Sequence, residues 1–297
     1  MGLLRRPVDV QTMDNFAFMI HPIEPQRDVA RKYPLLGRLP PGVIDYFSRF
    51  FPPVLLSHVV GIRSEDSGKE LEGWLVACPM TPSRMLEVPL TTAYAKIIQT
   101  GKLAESLGAR ILGLGAFTAV VGDAGGTVSR GLSIPVTTGS SYTVAVAVEA
   151  SMEAAQRMGL ELARSVVAIV GAYGSTGRAC ARVLAGKVKA LVLIGRDLAR
   201  LQGVKQQVES LGTGAVVATN LREIRRADIV LCMTSSTDPI IRPDLLKSGA
   251  VVCDVSRPRS VSRRVASERN DVLVIEGGVV RVPGEPDFGF DFGFPSG

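Results

Sequence analysis

The stretch Val167-Ala-Ile-Val-Gly171-Ala-Tyr-Gly174-Ser175-Thr176-Gly177-Arg-Ala-Cys-Ala-Arg-Val-Leu184 sets three glycines at three-residue intervals between an apolar run and an amphipathic one. A strand that enters such a turn and leaves it as a helix can bring bare backbone up to an anion. Gly171 permits the sharp turn, Gly174 lets N–H groups close on a pyrophosphate, and Gly177 lets the helix lie against the strand. The helix start, with Ser175 and Thr176, then faces phosphate with unpaired N–H groups and the positive end of its dipole. The spacing is GxxGxxG rather than GxGxxG, but a strand precedes it, a helix follows, and a second strand ends about 20 residues on, which is the context of a dinucleotide site.

That second strand ends Leu193-Ile194-Gly195-Arg196-Asp197. An acid at this tip holds the ribose 2′-OH of NAD, whereas an Arg accommodates a 2′-phosphate. Arg196 comes first, Asp197 lies one step beyond and Arg200 follows a turn later, so NADP is the expected cofactor. A fourth apolar run, Asp228 to Met233, continues into Thr234-Ser235-Ser236-Thr237-Asp238-Pro239. Small hydroxyl residues at a strand's carboxyl end lie in the crevice where ribose and nicotinamide bind, although a plain polar loop reads the same way. The fifth run ends Asp254-Val-Ser-Arg-Pro258 at the same edge.

The elements that position these residues follow from periodicity. Short, nearly continuous apolar runs (166–170, 190–194, 215–218, 229–233, 251–255 and 272–275) alternate with helical stretches, as strands covered on both faces of a doubly wound parallel sheet do. Ahead of them, the chain to about Pro53 is Pro-rich and reads as irregular, with one short helix within 42–51. A hairpin over 55–62 and 71–77, a helix over 91–106, a short strand over 110–114, Gly-, Ser- and Thr-rich loops over 122–139 and a connector helix over 141–158 complete the first part. The expectation is α/β throughout: a smaller α/β substrate domain over 1–150, a Rossmann domain over 151–280 and a C-terminal tail over 281–297.

Composition narrows the function. The 297 residues, 46% hydrophobic and 5% aromatic with 31 Gly, suit a two-domain α/β enzyme. The charge of +6 is scattered and carries no aromatic-interleaved basic patch, so nucleic acid is not an expected partner. No apolar run approaches the length of a membrane span and no signal peptide core is visible, which points to a cytoplasmic protein. Homo-oligomerisation is left open. Cys78, Cys180, Cys232 and Cys253 show no metal spacing, and with only His21 and His58 beside them no metal site is expected. Cys180, Cys232 and Cys253 read as core residues. Cys78, before Pro79-Met80-Thr81 at a strand end, is either a buried thiol or a nucleophile facing a cleft. Lys96 on the helix before Gly113 could orient a carbonyl or donate a proton, or simply be solvated. Thr138, Ser140 and Tyr142 open the connector helix, where they could meet a substrate carbonyl or cap the helix.

The run from Ala227 through Thr234 to Ile241, continuing at Val252-Cys-Asp-Val-Ser-Arg-Pro-Arg259, resembles the cofactor domain of shikimate dehydrogenases and, more closely, glutamyl-tRNA reductases. More widely the chain is similar to the long-chain acyl-[acyl-carrier-protein] reductases of cyanobacteria, through Gly113-Leu-Gly-Ala-Phe-Thr118, Thr137-Thr-Gly139 with Thr143 and Glu149, the glycine turn, Gly195-Arg196 and Glu276-Gly-Gly-Val-Val280. This resemblance implies NADPH-dependent reduction of a carrier-bound acyl thioester to an aldehyde through an acyl group on a cysteine, and a family Lys where Lys96 stands. The chain departs from it in stopping at Gly297, where the family continues into C-terminal helices, and at two internal places. Arg281-Val-Pro-Gly-Glu285 follows Gly-Gly-Val-Val without the family's nucleophilic Cys, and Tyr142 stands in place of a His. The alternatives are a nucleotide-binding sensor or partner protein that has lost catalysis, and a shikimate-type hydroxy-acid dehydrogenase, for which Lys96 lacks an evident Asp partner.

Overall fold

The computed structural model describes residues 14–291 apart from 235, 237, 257, 258 and 279. The chain divides into two units, one of residues 1–139 with 281–297, the other of residues 140–280.

The first unit opens with strand β1 (Asn15–Ile20), helices α1 (Pro25–Lys32) and α2 (Pro41–Ser48), and the antiparallel pair β2 (Val54–Arg63) and β3 (Glu70–Ala77). Helices α3 (Pro82–Glu87) and α4 (Leu90–Ser106), strand β4 (Leu112–Leu114), helix α5 (Gly126–Arg130) and strand β5 (Val136–Thr137) follow. Helix α3 is an addition between the hairpin and α4, which both lie where the sequence places them. The opening segment does not: what reads as irregular contains β1, a central strand paired in parallel with both β3 and β4. Its alternation is regular, with Ala17 and Met19 buried and Phe16 and Phe18 on the other face. Those two rings lie over Gly73 of β3 and Gly113 of β4, where a Cβ would come within 2.6 Å and 2.7 Å of them. Met19, Val76, Ile97, Leu112 and Leu114 form the core between sheet and helices, each buried Leu or Ile contributing about 1.5–3 kcal/mol.

The second unit runs α6 (Ser140–Arg157), β6 (Val166–Val170), α7 (Ser175–Leu184), β7 (Ala190–Ile194), α8 (Leu198–Glu209), β8 (Gly214–Ala218), β9 (Ile229–Cys232), β10 (Val251–Asp254), α9 (Arg263–Glu268) and β11 (Leu273–Glu276). All six strands are parallel, in the order β11-β10-β9-β6-β7-β8. Renumbered from β6 as one, that is 6-5-4-1-2-3, the doubly wound Rossmann arrangement. Alternate residues of each strand serve opposite faces. Ile169, Leu193 and Leu231 join Ala181 and Leu184 of α7, whereas Val170, Ile194 and Cys232 join Ile224 and Val265.

Two expected boundaries shift. Helix α6 belongs wholly to the second unit, because Val144, Ala147 and Val148 are buried in that unit's core, so the division falls before Ser140 rather than at 150. The stretch expected as a tail holds strand β12 (Gly284–Asp287), which pairs with β2 at the edge of the first unit's sheet in the order β12-β2-β3-β1-β4-β5. Gly61 of β2 makes this possible: at φ 79, it turns toward β12 where a Cβ would strike the Glu285 carbonyl.

Candidate functional site

The order reversal between β6 and β9 places the glycine turn at the switch point of the second sheet, where open α/β sheets bind ligands. Gly171 leaves β6 at φ 87, and a Cβ on it would lie 2.3 Å from the Met233 carbonyl oxygen at the end of β9. A Cβ on Gly177 would lie 2.3 Å from the Gly171 carbonyl oxygen, so α7 can rest on the turn only through a glycine. Gly174 differs. At φ −63 it has an ordinary conformation, and the nearest atom to its would-be Cβ is the Gly171 oxygen at 3.3 Å. The fold requires glycine at 171 and 177; at 174 the open space itself is the feature. Gly174 is the N-cap of α7, no side chain caps that helix, and its carbonyl takes the Arg178 N–H. The N–H groups of Ser175, Thr176 and Gly177 are then the donors left at the helix start. A cradle that a Cβ would fill, bordered by three such donors and the dipole's positive end, fits a pyrophosphate.

At the tip of β7, Gly195 leaves room for the Tyr173 ring, which a Cβ there would approach to 2.6 Å. The Arg200 guanidinium lies on the same ring, 4.4 Å from its centroid. Asp197 is the N-cap of α8 and accepts the Arg200 N–H at 3.1 Å. Its carboxylate is therefore engaged with the helix, while Arg196 is exposed and makes no ion pair among the described residues. Tyr173 went unread in the sequence; an aromatic inside a glycine turn is its only signal.

Beyond β9, the Thr234 N–H bonds Ser256 Oγ at 3.1 Å, the Ser236 N–H bonds Thr234 Oγ1 at 3.1 Å, and Ser236 Oγ donates to the Asp238 carbonyl at 3.0 Å. Ser235 lies outside the described residues. Asp254, buried at the end of β10, accepts N–H bonds from Ser256 (3.0 Å), Ser260 (2.8 Å) and Val261 (2.9 Å). One carboxylate thus gathers the β10 loop against the hydroxyl-rich loop of β9. An open groove of about 560 Å³ lies among the loops after β8 and β9, lined by Asn220, Arg222, Ile240 and Arg242 among others.

The catalytic candidates fall into separate places. Cys78 follows β3 and has no exposed surface. Burial pushes its thiol up to about 11, against the lowering pull of the Met80 N–H, the Thr100 hydroxyl and the nearby Lys96 charge. Lys96 on α4 donates to the Phe51 carbonyl at 2.9 Å, fastening the end of the α2 segment. Tyr142, 63% exposed, stands in the first turn of α6 in the second unit. Cys78 and Lys96 are thus neighbours in the first unit, with Tyr142 in the other. Cys180 is pushed up to about 12 by burial, and the Cys232 and Cys253 thiols are raised by the same cause. His21 follows β1 and is buried; its Nδ1–H donates to the Pro22 carbonyl and its Nε2 accepts the Phe117 N–H at 2.9 Å. Burial lowers its pKa, so the ring is a neutral link between the ends of β1 and β4. His58 pairs with Glu72 and stacks on Trp74. Among the described residues no three His, Cys, Asp or Glu side chains group as metal ligands.

Against known proteins, a family model described as shikimate / quinate 5-dehydrogenase matches residues 153–276, which are the second unit without its first helix turns and last residues. The chain is 26% identical over 268 residues to the long-chain acyl-[acyl-carrier-protein] reductase of Synechococcus elongatus, covering 87% of this chain and 76% of that protein. It is 28% identical over 221 residues to the aminotransferase PigE of a Serratia species, covering 72% of this chain but spanning only 25% of that protein's length. Among solved structures, glutamyl-tRNA reductase from Methanopyrus kandleri is 22% identical, with 64% of this chain and 48% of that chain covered at a TM-score of 0.36. The similarity to acyl reductases and to a dehydrogenase cofactor domain accords with the sequence motifs, and both names denote oxidoreductases.

Proposed function

We propose that the chain is an NADPH-dependent oxidoreductase that reduces a carbonyl or acyl substrate, a thioester or an aldehyde, small or carrier-bound. The observation that carries this reading is the tip of β7: Asp197, the residue that would select NAD, is engaged as the cap of α8, which leaves Arg196 to meet a 2′-phosphate. The pyrophosphate would lie against Gly174 and the N–H groups of Ser175, Thr176 and Gly177, with Thr234, Ser235 and Ser236 toward the ribose and nicotinamide. When bound, the nicotinamide supplies a hydride to the carbonyl carbon. Tyr142, with its phenol exposed, is the favoured donor of the accompanying proton; Lys96 is held by a backbone carbonyl, and Cys78 is a weak nucleophile while its thiol stays protonated. Hydride transfer to a carbonyl without an acyl-enzyme is the route these side chains favour.

Two measurements test the reading. NADPH should bind on the order of ten- to a hundredfold more tightly than NADH, the value of one charge-assisted contact of roughly 1.5–3 kcal/mol, and Arg196→Ala should erase most of that gap. Equal affinities in the unmutated protein would return cofactor choice to Asp197. NADPH consumption with aldehydes, acyl thioesters and hydroxy acids offered in turn assigns the substrate class. The four buried thiols favour one second reading, a protein that binds NADPH and turns over none of them.

A further inference from the structure

Helix α2 presents to water the stripe that a helix ordinarily turns inward. Val43, Tyr46 and Phe47 on the helix and Phe50 in the turn after it recur at i, i+3, i+4 and i+7, the spacing of a core-facing stripe. All four are exposed, Phe50 at 65%, while the buried side is Ile44 and Ser48. Leu35, 74% exposed, and Leu39 extend the surface ahead of the helix, and Phe51 continues it behind. A contiguous apolar surface of this kind marks an interaction site. Its charge is one-sided. Between residues 31 and 51 stand Arg31, Lys32, Arg38 and Arg49, with Asp45 as the single acid, and Asp45 is already bonded to Arg84 at 2.6 Å. Arg49 sits amid the stripe, its guanidinium 4.2 Å from the Tyr46 ring centroid and 4.6 Å from that of Phe50. Its Nε is out of water and has no hydrogen-bond partner among the described residues. That nitrogen is closed to an outside anion, so what Arg49 brings to the apolar surface is its guanidinium charge, laid on the aromatic faces.

We propose that this surface docks the protein peripherally on an anionic lipid bilayer, with the phenylalanines, Tyr46 and the leucines at the boundary of headgroups and acyl chains and Arg49 against lipid phosphate. Exposed apolar side chains beside basic ones suit that boundary, the basic residues here standing outside α2, on α1 and in the segments flanking α2, and aromatic rings collect there. Attachment is to the surface, since no helix of the described residues is long and apolar enough to cross a membrane. A second copy of the chain fits less well: the same contact would bury arginines from both copies and supply no unengaged acid to meet them.

The test is co-flotation of the full chain with vesicles of phosphatidylcholine alone and with phosphatidylglycerol added to about 30 mol%. Binding to the anionic vesicles should exceed that to the neutral ones at least tenfold and weaken at about 0.5 M salt. Phe47→Glu with Phe50→Glu should cut partitioning tenfold or more at an unchanged melting temperature, and Arg49→Gln should narrow the preference for anionic vesicles. Leu35→Ser, at the most exposed position, supplies the same readout should the double variant misfold. Absence of vesicle binding overturns the proposal, as does binding that survives in all three variants. A concentration-dependent doubling of mass, abolished by the phenylalanine substitutions in protein that ignores vesicles, would instead make this face an interface between copies.

Discussion

Gly174 separates what the fold needs from what a ligand needs. An alanine there keeps φ −63, and its Cβ meets only the Gly171 oxygen, at 3.3 Å, which must give by a few tenths of an ångström. The change of cap residue and this contact together should cost about 1 kcal/mol or less of stability. The same methyl fills the space in which a pyrophosphate would approach the helix start. Displacing one charge-assisted N–H bond, at roughly 1.5–3 kcal/mol, should weaken NADPH binding about ten- to a hundredfold, and displacing two up to on the order of ten-thousandfold. Gly177→Ala is the control: its Cβ falls 2.3 Å from backbone, so helix and turn must separate, at about 1–3 kcal/mol or more, and stability should fall along with binding. A fluorescence titration of NADPH paired with thermal denaturation reads both quantities. If Gly174→Ala binds within twofold of the unmutated protein, or loses as much stability as Gly177→Ala, the assignment of the cradle is wrong.

At neutral pH a thiol with a pKa of about 11 is thiolate in only about one molecule in ten thousand, so Cys78 should label with iodoacetamide no faster than the native protein opens, and Cys78→Ser should keep any reductase activity. An acyl adduct on Cys78 after incubation with acyl-CoA, seen by mass spectrometry, would reverse that. Asp254→Asn turns an amide donor toward at least one of three buried N–H groups and should lower stability by about 1–3 kcal/mol, read by urea denaturation, while weakening NADPH binding by loosening the loops beside the turn. Burial raises the Glu105 pKa, but Lys102 and the N–H and hydroxyl groups of Ser133 with the Ile134 N–H outweigh it and bring it to about 2 from an ordinary 4.5. A carboxylate with a lowered folded pKa stabilises above its unfolded value, so this contribution should be lost as pH falls from 4.5 toward 2; Glu105→Gln should flatten the melting-temperature profile there, and an identical profile would refute it.

The second unit was legible because its strands are covered on both faces and read as unbroken apolar runs, and because its turn carries glycines that backbone contact makes obligatory at 171 and 177. The first unit was harder. Strand β1 is flanked by prolines on its far side and is paired only with strands distant in sequence, so nothing local announces it. Gly73 and Gly113 acquire their meaning only once Phe16 and Phe18 are seen above them. Strand β12 is four residues, Gly-Glu-Pro-Asp, without strand propensity of its own, and is formed by what β2 offers it. The catalytic side was least legible: the local text around Cys78 allows both a core thiol and a nucleophile, and that the side chain has no exposed surface is visible only in the fold.

The return of β12 to β2 also bears on synthesis. Residues 140–280 form a contiguous segment and can collapse as soon as they leave the ribosome, whereas the first unit waits for 284–287 to complete its sheet edge. During that interval β2 is an open edge, ten residues long, interrupted by Gly61 and carrying His58 and Arg63. Those residues, rather than any partner strand, must discourage a neighbouring nascent chain from adding itself there.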